Sequence, residues 1–288
     1  MRSSGLRIVT FNVFPMAYSL IAGWAERQGN EITLVVTSPA SHVERYGVAH
    51  HELLAAVPPS QDVLVTTRLR RTAAPVIRAL APDLIISATF PHHIPVSLTA
   101  IPRYGALNLH PAPLPLGRGP NPQRLIYEGH PTIGASLHRL APEFDAGHIL
   151  SRQERPVPPD LTPELILSTW GELLTAALDE GVPRAVAGED GDVQDDRLAT
   201  YAAPFSDEER WLDWSEPAER LQQRVAALNM PVPTARARVG EESITVAALR
   251  SLPERTTIHA PGTVIERSGK TAIVQAGDGL VEVIVGDG

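Results

Sequence analysis

The amino-acid sequence predicts an α/β fold: a doubly wound, mostly parallel sheet in the first half, followed by a smaller β-barrel domain. Three observations favour this architecture. Short Ile, Leu and Val runs alternate with helical patterns, a polar acidic stretch divides the chain, and short strand-like runs between glycines fill its end. A length of 288 residues suits one sizeable domain and a smaller one.

The first half contains the elements of βα units. Each predicted strand is a nearly continuous apolar run, which is typical of parallel strands that helices cover on both faces. We therefore expect a ligand site beyond the carboxyl ends of these strands. The predicted strands are 6–11, 31–37, 62–66, 83–88 and 106–110, and the predicted helices are 16–27 and 70–80.

Further elements follow before the first domain ends. A strand pair at 132–138 and 148–153 precedes a helix that Thr162 caps and that begins at Pro163. Apolar residues recur on one face of this helix, so it is expected to pack on the sheet.

A polar, acidic segment without apolar periodicity predicts a linker at 191–204. The predicted domains are therefore 1–190 and 205–288. In the second domain we expect Ser215 to cap a short helix, and five strand-like runs with glycine turns to follow it.

Composition excludes several kinds of chemistry. The chain has no cysteine, so disulfides, thiolate metal sites and a cysteine nucleophile are excluded. The formal net charge is −8, and no block of like charges suggests general nucleic-acid binding. The apolar stretch at 6–13 is too short for a signal peptide or a membrane span, so we expect a cytoplasmic protein without membrane contact.

The common cofactor signatures are also absent from the sequence. No G-x-G-x-x-G follows the first strand and no G-x-x-x-x-G-K-[ST] is present, which argues against dinucleotide and P-loop chemistry. His50 and His51 lack the spacing of a zincin helix, and His92 and His93 are adjacent residues whose side chains would point apart. We therefore predict no metal site.

The densest group of unusual residues lies between 106 and 150. Asn108 and His110 alternate along a predicted strand, so both side chains emerge on one face at its carboxyl end. A loop rich in proline and glycine follows at once and cannot continue the sheet. Asp145 lies on a loop between two later strands and can fold over the same edge. An amide, an imidazole and a carboxylate should therefore converge where an α/β site forms.

Such a trio suits acyl transfer to an amine. An amide N–H and an imidazolium can stabilise the oxyanion of a tetrahedral intermediate, while a carboxylate orients the histidine and relays the proton of the amine. On spacing alone, structural roles explain the same residues equally well: Asn108 can hold a loop, His110 can cap a strand and Asp145 can form an Asx turn.

Four motifs in this stretch resemble the formyltransferase family. They are an N-x-H-P strand end, an L-P-x-x-R-G loop, an S-x-H strand and an x-D-x-G turn, which stand here at 108–111, 114–119, 136–138 and 145–147. The resemblance implies a Rossmann-like catalytic domain, a catalytic trio of Asn108, His110 and Asp145, and 10-formyltetrahydrofolate as the formyl donor.

The resemblance extends to both flanking segments. DLIISATFPHHIP is similar to the strand and loop whose backbone cradles the pterin ring in the family, and a second loop is expected to face it. The segment after the linker resembles the OB-like carboxyl-terminal domain of family members that act on tRNA or on sugars. The resemblance thus implies donor contacts at Phe90, His92, Ile94, Leu140, Pro142 and Asp145.

Two residues near the trio are candidates for substrate binding. Arg118 could hold an acidic acceptor or brace the G-R-G-P turn, since a guanidinium binds carboxylates well in either setting. His138 could assist the proton transfer or simply be satisfied by a backbone hydrogen bond. The sequence leaves both alternatives open.

Departures from the tRNA-specific members concern the acceptor. Segment 38–47 lacks the basic insertion that resembles a tRNA-gripping loop, and residues 205–288 carry nine Arg or Lys against thirteen Asp or Glu. We therefore predict a small amine acceptor: an amino sugar nucleotide, an amino acid or a natural-product intermediate. The alternatives are initiator tRNA, a hydrolase that passes the formyl group to water, and a catalytically silent folate-binding module.

Overall fold

The computed structural model describes residues 5–39, 47–230, 232–254 and 259–286, with the backbone alone for 47–50. The expected absence of a basic insertion at 38–47 thus falls largely outside the described residues. Within them, no helix has the length and apolar character that crossing a membrane requires.

The helices are α1 Pro15–Arg27, α2 Gly47–Ala56, α3 Ala74–Leu80, α4 Val96–Thr99, α5 Arg124–Tyr127, α6 Pro163–Val186 and α7 Ala218–Leu228. The strands are β1 Arg7–Phe11, β2 Glu31–Thr37, β3 Val63–Val65, β4 Leu84–Ser87, β5 Ala106–His110, β6 Thr132–Arg139, β7 Ile149–Pro156, β8 Arg236–Val239, β9 Glu242–Leu252, β10 Val264–Ser268, β11 Thr271–Gln275 and β12 Leu280–Val285.

Seven strands form one sheet in the order β3-β2-β1-β4-β5-β6-β7. The first five in that order run parallel, and β6 pairs antiparallel with β5. Ile8 packs in one apolar cluster with α1 and with Ala177 of α6, whereas its neighbour Val9 packs in another with Ile77 of α3. Because successive strand residues point to opposite faces, helices cover both faces of the sheet. The predicted α/β class is confirmed.

Five further strands form an antiparallel, curled half-barrel sheet in the order β10-β11-β12-β9-β8. The amide of Asn229, after α7, ties this sheet to the chain that enters it. Its Nδ2 donates to two carbonyls and its Oδ1 accepts from two N–H groups, at Val246, Ala247, Thr234 and Ala235. The smaller β domain is therefore present, as the sequence predicts.

The two helix caps expected from the sequence have different outcomes. The Thr162 hydroxyl accepts a 3.2 Å hydrogen bond from a backbone N–H of α6, which confirms the cap. The prediction for Ser215 is wrong, because α7 begins at Ala218, whose N–H donates to Asp278 Oδ1 at 2.8 Å. The Ser215 hydroxyl instead donates to Asp213 at 2.7 Å. A carboxylate far away in sequence is the stronger acceptor for a helix N-terminus.

The described residues cluster in two compact units. The first contains Met1–Arg118, Gly134–Glu154 and Gly171–Thr200, and the second contains Gly119–Ile133, Arg155–Trp170 and Tyr201–Gly288. Residues 191–200 thus belong to the first unit, and the domain boundaries expected from the sequence stay a prediction.

An arginine on α5 shows why an early segment belongs to the second unit. The guanidinium of Arg124 donates to both carboxylate oxygens of Glu209, at 2.9 and 3.0 Å. These hydrogen bonds favour the ionised carboxylate and hold the pKa of Glu209 below its usual value. The Tyr127 hydroxyl donates to the Glu209 carbonyl at 3.0 Å, so the chain after residue 205 is fastened to this helix.

Candidate active site

The strand register at β5 brings the candidate residue His138 into contact with Asn108. β6 runs antiparallel beside β5 and places His138 opposite Asn108, and Ser136 opposite His110. Side chains of directly opposed residues on one face lie close together. His110 and His138 are both buried, with 6% and 1% of their surface exposed. Sequence spacing alone assigned His138 to the next strand without showing that it contacts Asn108.

The loop between β6 and β7 carries Asp145 in an unusual backbone conformation. Its φ angle is 55°, in the left-handed region where non-glycine residues are uncommon and where aspartate is among the better tolerated. Two residues later, the backbone of Gly147 passes so close to Arg139 that an added Cβ would lie 1.8 Å from its carbonyl oxygen. This tight return aims the Asp145 carboxylate back at the end of β5.

Within the predicted trio, the side chains of Asn108 and His110 converge on one carboxylate oxygen of Asp145. Asn108 Nδ2 donates to Asp145 Oδ1 at 3.2 Å, and His110 Nδ1 lies 3.7 Å from the same oxygen. The Asp145 side chain is 11% exposed. A carboxylate removed this far from water requires donors or cations around it. The Asn108 amide supplies a donor, and His110 supplies a cation when its ring is protonated.

The hydrogen-bond partners of His110 determine where its protons lie. Its Nε2 is 2.9 Å from the Gly117 carbonyl oxygen, which can only accept, so Nε2 carries a proton. In the neutral ring Nδ1 is then the bare nitrogen, and in the imidazolium it carries the second proton and faces Asp145. The L-P-x-x-R-G loop thus fixes the ring, and Nδ1 is its exchangeable position.

His138 is oriented in the same way by a carbonyl group. Its Nδ1 donates to the carbonyl of Arg139 at 2.9 Å, which leaves Nε2 to accept from Asn108 Nδ2 at 3.1 Å. Nε2 also lies 3.5 Å from Asp145 Oδ1. The structure therefore places His138 against the Asn108 amide, where it orients that group. A role in substrate binding stays a prediction.

The two loops expected to hold the donor contact each other. The ring of His93 lies edge-on to that of Phe144, with centroids 5.9 Å apart. At the base of the loops, Phe90 and Leu140 pack on the same apolar cluster as the buried Ile94. The loops thus share one apolar foundation at the edge of the sheet.

The side chains expected at the donor differ in exposure. Ile94 is 6% exposed, Phe90 and His92 are half-buried, and Pro142 is exposed. The Phe90 ring meets that of His92 edge-on at 5.5 Å, so both are held in place. These side chains thus range from buried to exposed, and the donor contacts themselves stay a prediction.

Arg118 bonds to acceptors of its own chain. Its Nε and Nη2 donate to Gln194 Oε1 at 3.0 and 2.8 Å, and Nη2 also donates to Asp196 at 2.8 Å. Of the two open alternatives, this arrangement matches the bracing role, and acceptor binding stays a prediction.

Two features of the site have no signal in the sequence. The carbonyl of Gly117 is a backbone group, and Gln194 stands in a polar stretch that gives no periodic pattern. The role of Gln194 becomes visible only from the hydrogen-bond partners of its buried amide, which require coordinates.

Among the residues that the structure describes, no group of three or more His, Asp or Glu side chains is arranged to hold a metal ion.

Two family models match the chain. One, described as "Formyl transferase", matches residues 6–178, and the other, "Formyl transferase, C-terminal domain", matches residues 204–285. The first match contains Asn108, His110 and Asp145, together with both loops that are expected to hold the donor.

Individual relatives agree with these matches. Methionyl-tRNA formyltransferase from Halorhodospira halophila is 35% identical over 226 residues, which cover 77% of this chain and 68% of that protein. The enzyme of that name from Enterococcus faecalis is 30% identical over 258 residues, covering 88% and 82%. An N-formyltransferase from Helicobacter canadensis, solved with folinic acid and dTDP-3-aminofucose, has a TM-score of 0.65 over 98% of this chain and 99% of that one. At 11% identity, that likeness bears on the fold alone.

The tight return at Gly147 generates a prediction. Gly147→Ala should destabilise the protein by about 1–3 kcal/mol, because the new methyl group overlaps a backbone carbonyl that cannot move aside. Gly171→Ala on α6 is the matched control. It meets nothing within 4 Å, and alanine is the better helix former, so stability should rise by roughly 0.5–1 kcal/mol. Chemical denaturation measures both, and equal stability of the two variants would contradict the close approach.

Proposed function

The chain belongs to the formyltransferase family, and from that premise we propose that it formylates the amine of methionyl initiator tRNA. It is a folate-dependent one-carbon transferase whose donor is 10-formyltetrahydrofolate. The observation that carries the choice of acceptor is the 35% and 30% identity to two methionyl-tRNA formyltransferases. These alignments favour the tRNA alternative over the small acceptor that the sequence patterns predict.

In the proposed reaction the amine nitrogen attacks the formyl carbon. A C–N bond forms, and the carbonyl electrons move to oxygen as an oxyanion. Asp145 accepts the proton that the attacking nitrogen loses. When the intermediate collapses, the bond from the formyl carbon to N10 of the folate breaks, and N10 takes up a proton that Asp145 returns. The products are the formamide and tetrahydrofolate, so atoms and charge balance.

The proposed oxyanion donors are Asn108 Nδ2 and Nδ1 of the protonated His110 ring. Both N–H groups of Asn108 donate within the protein, to Asp145 and to His138, so oxyanion donation requires one of these hydrogen bonds to be exchanged. His110 needs no such exchange, because Nδ1 lies 3.7 Å from Asp145, beyond hydrogen-bond distance. Catalytic hydrogen bonds commonly tighten only once substrate is bound.

A surface patch in the second unit offers chemistry suited to RNA. Arg236 and Arg238 alternate on β8, are both exposed, and place their guanidinium carbons 6.0 and 5.9 Å from the ring centroid of Trp211. The patch borders a cavity of about 520 Å³. Cations beside an aromatic face suit a phosphate next to a stacked base. We propose that these residues contact the tRNA.

A small amine is the second candidate, and charge favours it. In the carboxyl-terminal stretch, carboxylates already neutralise several cations, through ion pairs at Arg210–Asp207, Arg224–Glu216 and Arg267–Glu242. These pairs reduce the positive charge that a phosphate backbone would meet. The family models and relatives argue against the hydrolase and the silent folate-binding module, because the models and the relatives are those of formyltransferases. The cytoplasm remains the proposed compartment.

The mechanism predicts large and non-additive losses. Asn108→Ala, His110→Ala and Asp145→Ala should each fold and lose on the order of 10²–10³ in kcat, since each removes a group that acts on the transition state. A double variant should lose little more than the worse single one, because the groups act as a unit. Single-turnover formyl transfer measures this. His148→Ala, at an exposed histidine of the same unit, is the control, and near-normal turnover by His110→Ala would refute the assignment.

The proposed acceptor is tested by comparing substrates at low and moderate salt. Charged initiator tRNA should be formylated efficiently, with an affinity that falls steeply as salt rises, because bound phosphates release counterions. Arg236→Ala and Arg238→Ala should each lower the salt slope by about one unit. Arg267→Ala, whose charge already pairs with Glu242, should not. Efficient, salt-insensitive formylation of an amino sugar nucleotide or amino acid, without activity on tRNA, would sink the tRNA proposal.

A further inference from the structure

One side chain outside the trio uses its full hydrogen-bonding capacity at the back of the site. Gln194 is 7% exposed. Its Nε2 donates to the Asp145 carbonyl at 2.8 Å and to the Gly147 carbonyl at 2.7 Å. Its Oε1 accepts twice from Arg118, at 3.0 and 2.8 Å. An amide group offers two donors and two acceptor positions, and all four are occupied.

The partners determine which way the Gln194 amide is turned. Two carbonyl oxygens on one side accept only from the NH₂ group, and the Arg118 guanidinium on the other side donates only to the oxygen. A flipped amide would oppose oxygen to oxygen and N–H to N–H. A glutamate in this place keeps the acceptors for Arg118 but, when ionised, has no donor for the two carbonyls.

These bonds hold the part of the loop that needs support. Asp145 has its φ angle in the left-handed region, and such a conformation persists only where the surrounding structure enforces it. Gln194 bonds to the carbonyl of Asp145 itself and to the carbonyl two residues on, at the tight return. The position of the carboxylate therefore depends on the Gln194 amide.

The same segment also holds the loop that fixes His110. Thr200 Oγ1 accepts from the Gly117 N–H at 2.8 Å, and the Thr200 carbonyl accepts from the Arg118 N–H at 3.0 Å. The Gly117 carbonyl in turn accepts from His110 Nε2. Residues 191–200, which the sequence predicts as the start of a linker, thus tie the imidazole loop and the carboxylate loop to one piece of chain.

We propose that Gln194 is a positioning residue, which sets the distance between Asp145 and His110 without touching substrate. The proposal rests on the roles given above to Asp145 and His110. A displacement of about 1 Å at reacting groups can cost on the order of 10²-fold in rate, so small motions of this loop are sufficient to matter.

The decisive variant is Gln194→Glu. Because Arg118 keeps its acceptor, the segment should stay folded, while the two carbonyls lose their donors and face a carboxylate. We expect kcat to fall on the order of 10²-fold with little change in the KM for 10-formyltetrahydrofolate. Hydrogen exchange, followed by mass spectrometry, should become faster in the peptide that spans 140–148. Gln194→Ala should likewise lower kcat with little change in the KM for 10-formyltetrahydrofolate, and it should cost more stability.

The matched control is Gln153→Ala. This half-buried amide of the same unit bonds to Ser151 and Glu180 instead, so its loss should leave kcat and exchange at 140–148 unchanged. Wild-type kcat in Gln194→Glu, a change in KM alone, or failure of both Gln194 variants to fold would overturn the positioning role. If the wild-type protein formylates no acceptor, the proposed function fails, and loop exchange in Gln194→Glu still decides this inference.

Discussion

The site depends on one carboxylate oxygen, Oδ1 of Asp145, which three side chains approach. Asn108 Nδ2 lies 3.2 Å away, His138 Nε2 3.5 Å and His110 Nδ1 3.7 Å. Asn108 donates a hydrogen bond to this mostly buried carboxylate, and a protonated His110 would place a positive charge beside it, which offsets part of the desolvation cost. His138 orients the Asn108 amide that donates to it. The strand register of β5 and β6 delivers the amide and both imidazoles. A loop that bonds to a distant segment delivers the carboxylate.

Backbone groups do most of the orienting at this point. The carbonyl of Gly117 fixes the proton position of His110, and the carbonyl of Arg139 does the same for His138. Gln194 completes the arrangement by holding the backbone that carries Asp145. In the proposed mechanism the chemistry lies in a few side chains, while main-chain geometry determines which of their nitrogen atoms face the formyl group.

Local patterns in the sequence were sufficient for the fold class and for bringing Asn108 and His110 to one strand end, because strand alternation is a local property. Contacts between distant segments were not predictable. Asp278 replaces Ser215 as the cap of α7, and Gln194 reaches the site from a stretch expected to be a linker. In each case a polar group forms a hydrogen bond with a residue that is distant in the sequence. Which partner it finds depends on the burial and distances in the folded protein, which the spacing of residues in the sequence does not show. The identity of the acceptor likewise depends on the surface of the folded protein, which sequence motifs describe poorly.

A crystal structure of the protein with a stable 10-formyl analogue of the donor tests the central claim most directly. The formyl oxygen should lie about 2.7–3.1 Å from Asn108 Nδ2 and His110 Nδ1, with the formyl carbon facing the Asp145 carboxylate. The pterin ring should lie between the loop that carries Phe90 and the loop that follows β6. A formyl group directed away from these three residues, with their mutual hydrogen bonds unchanged, would contradict the account.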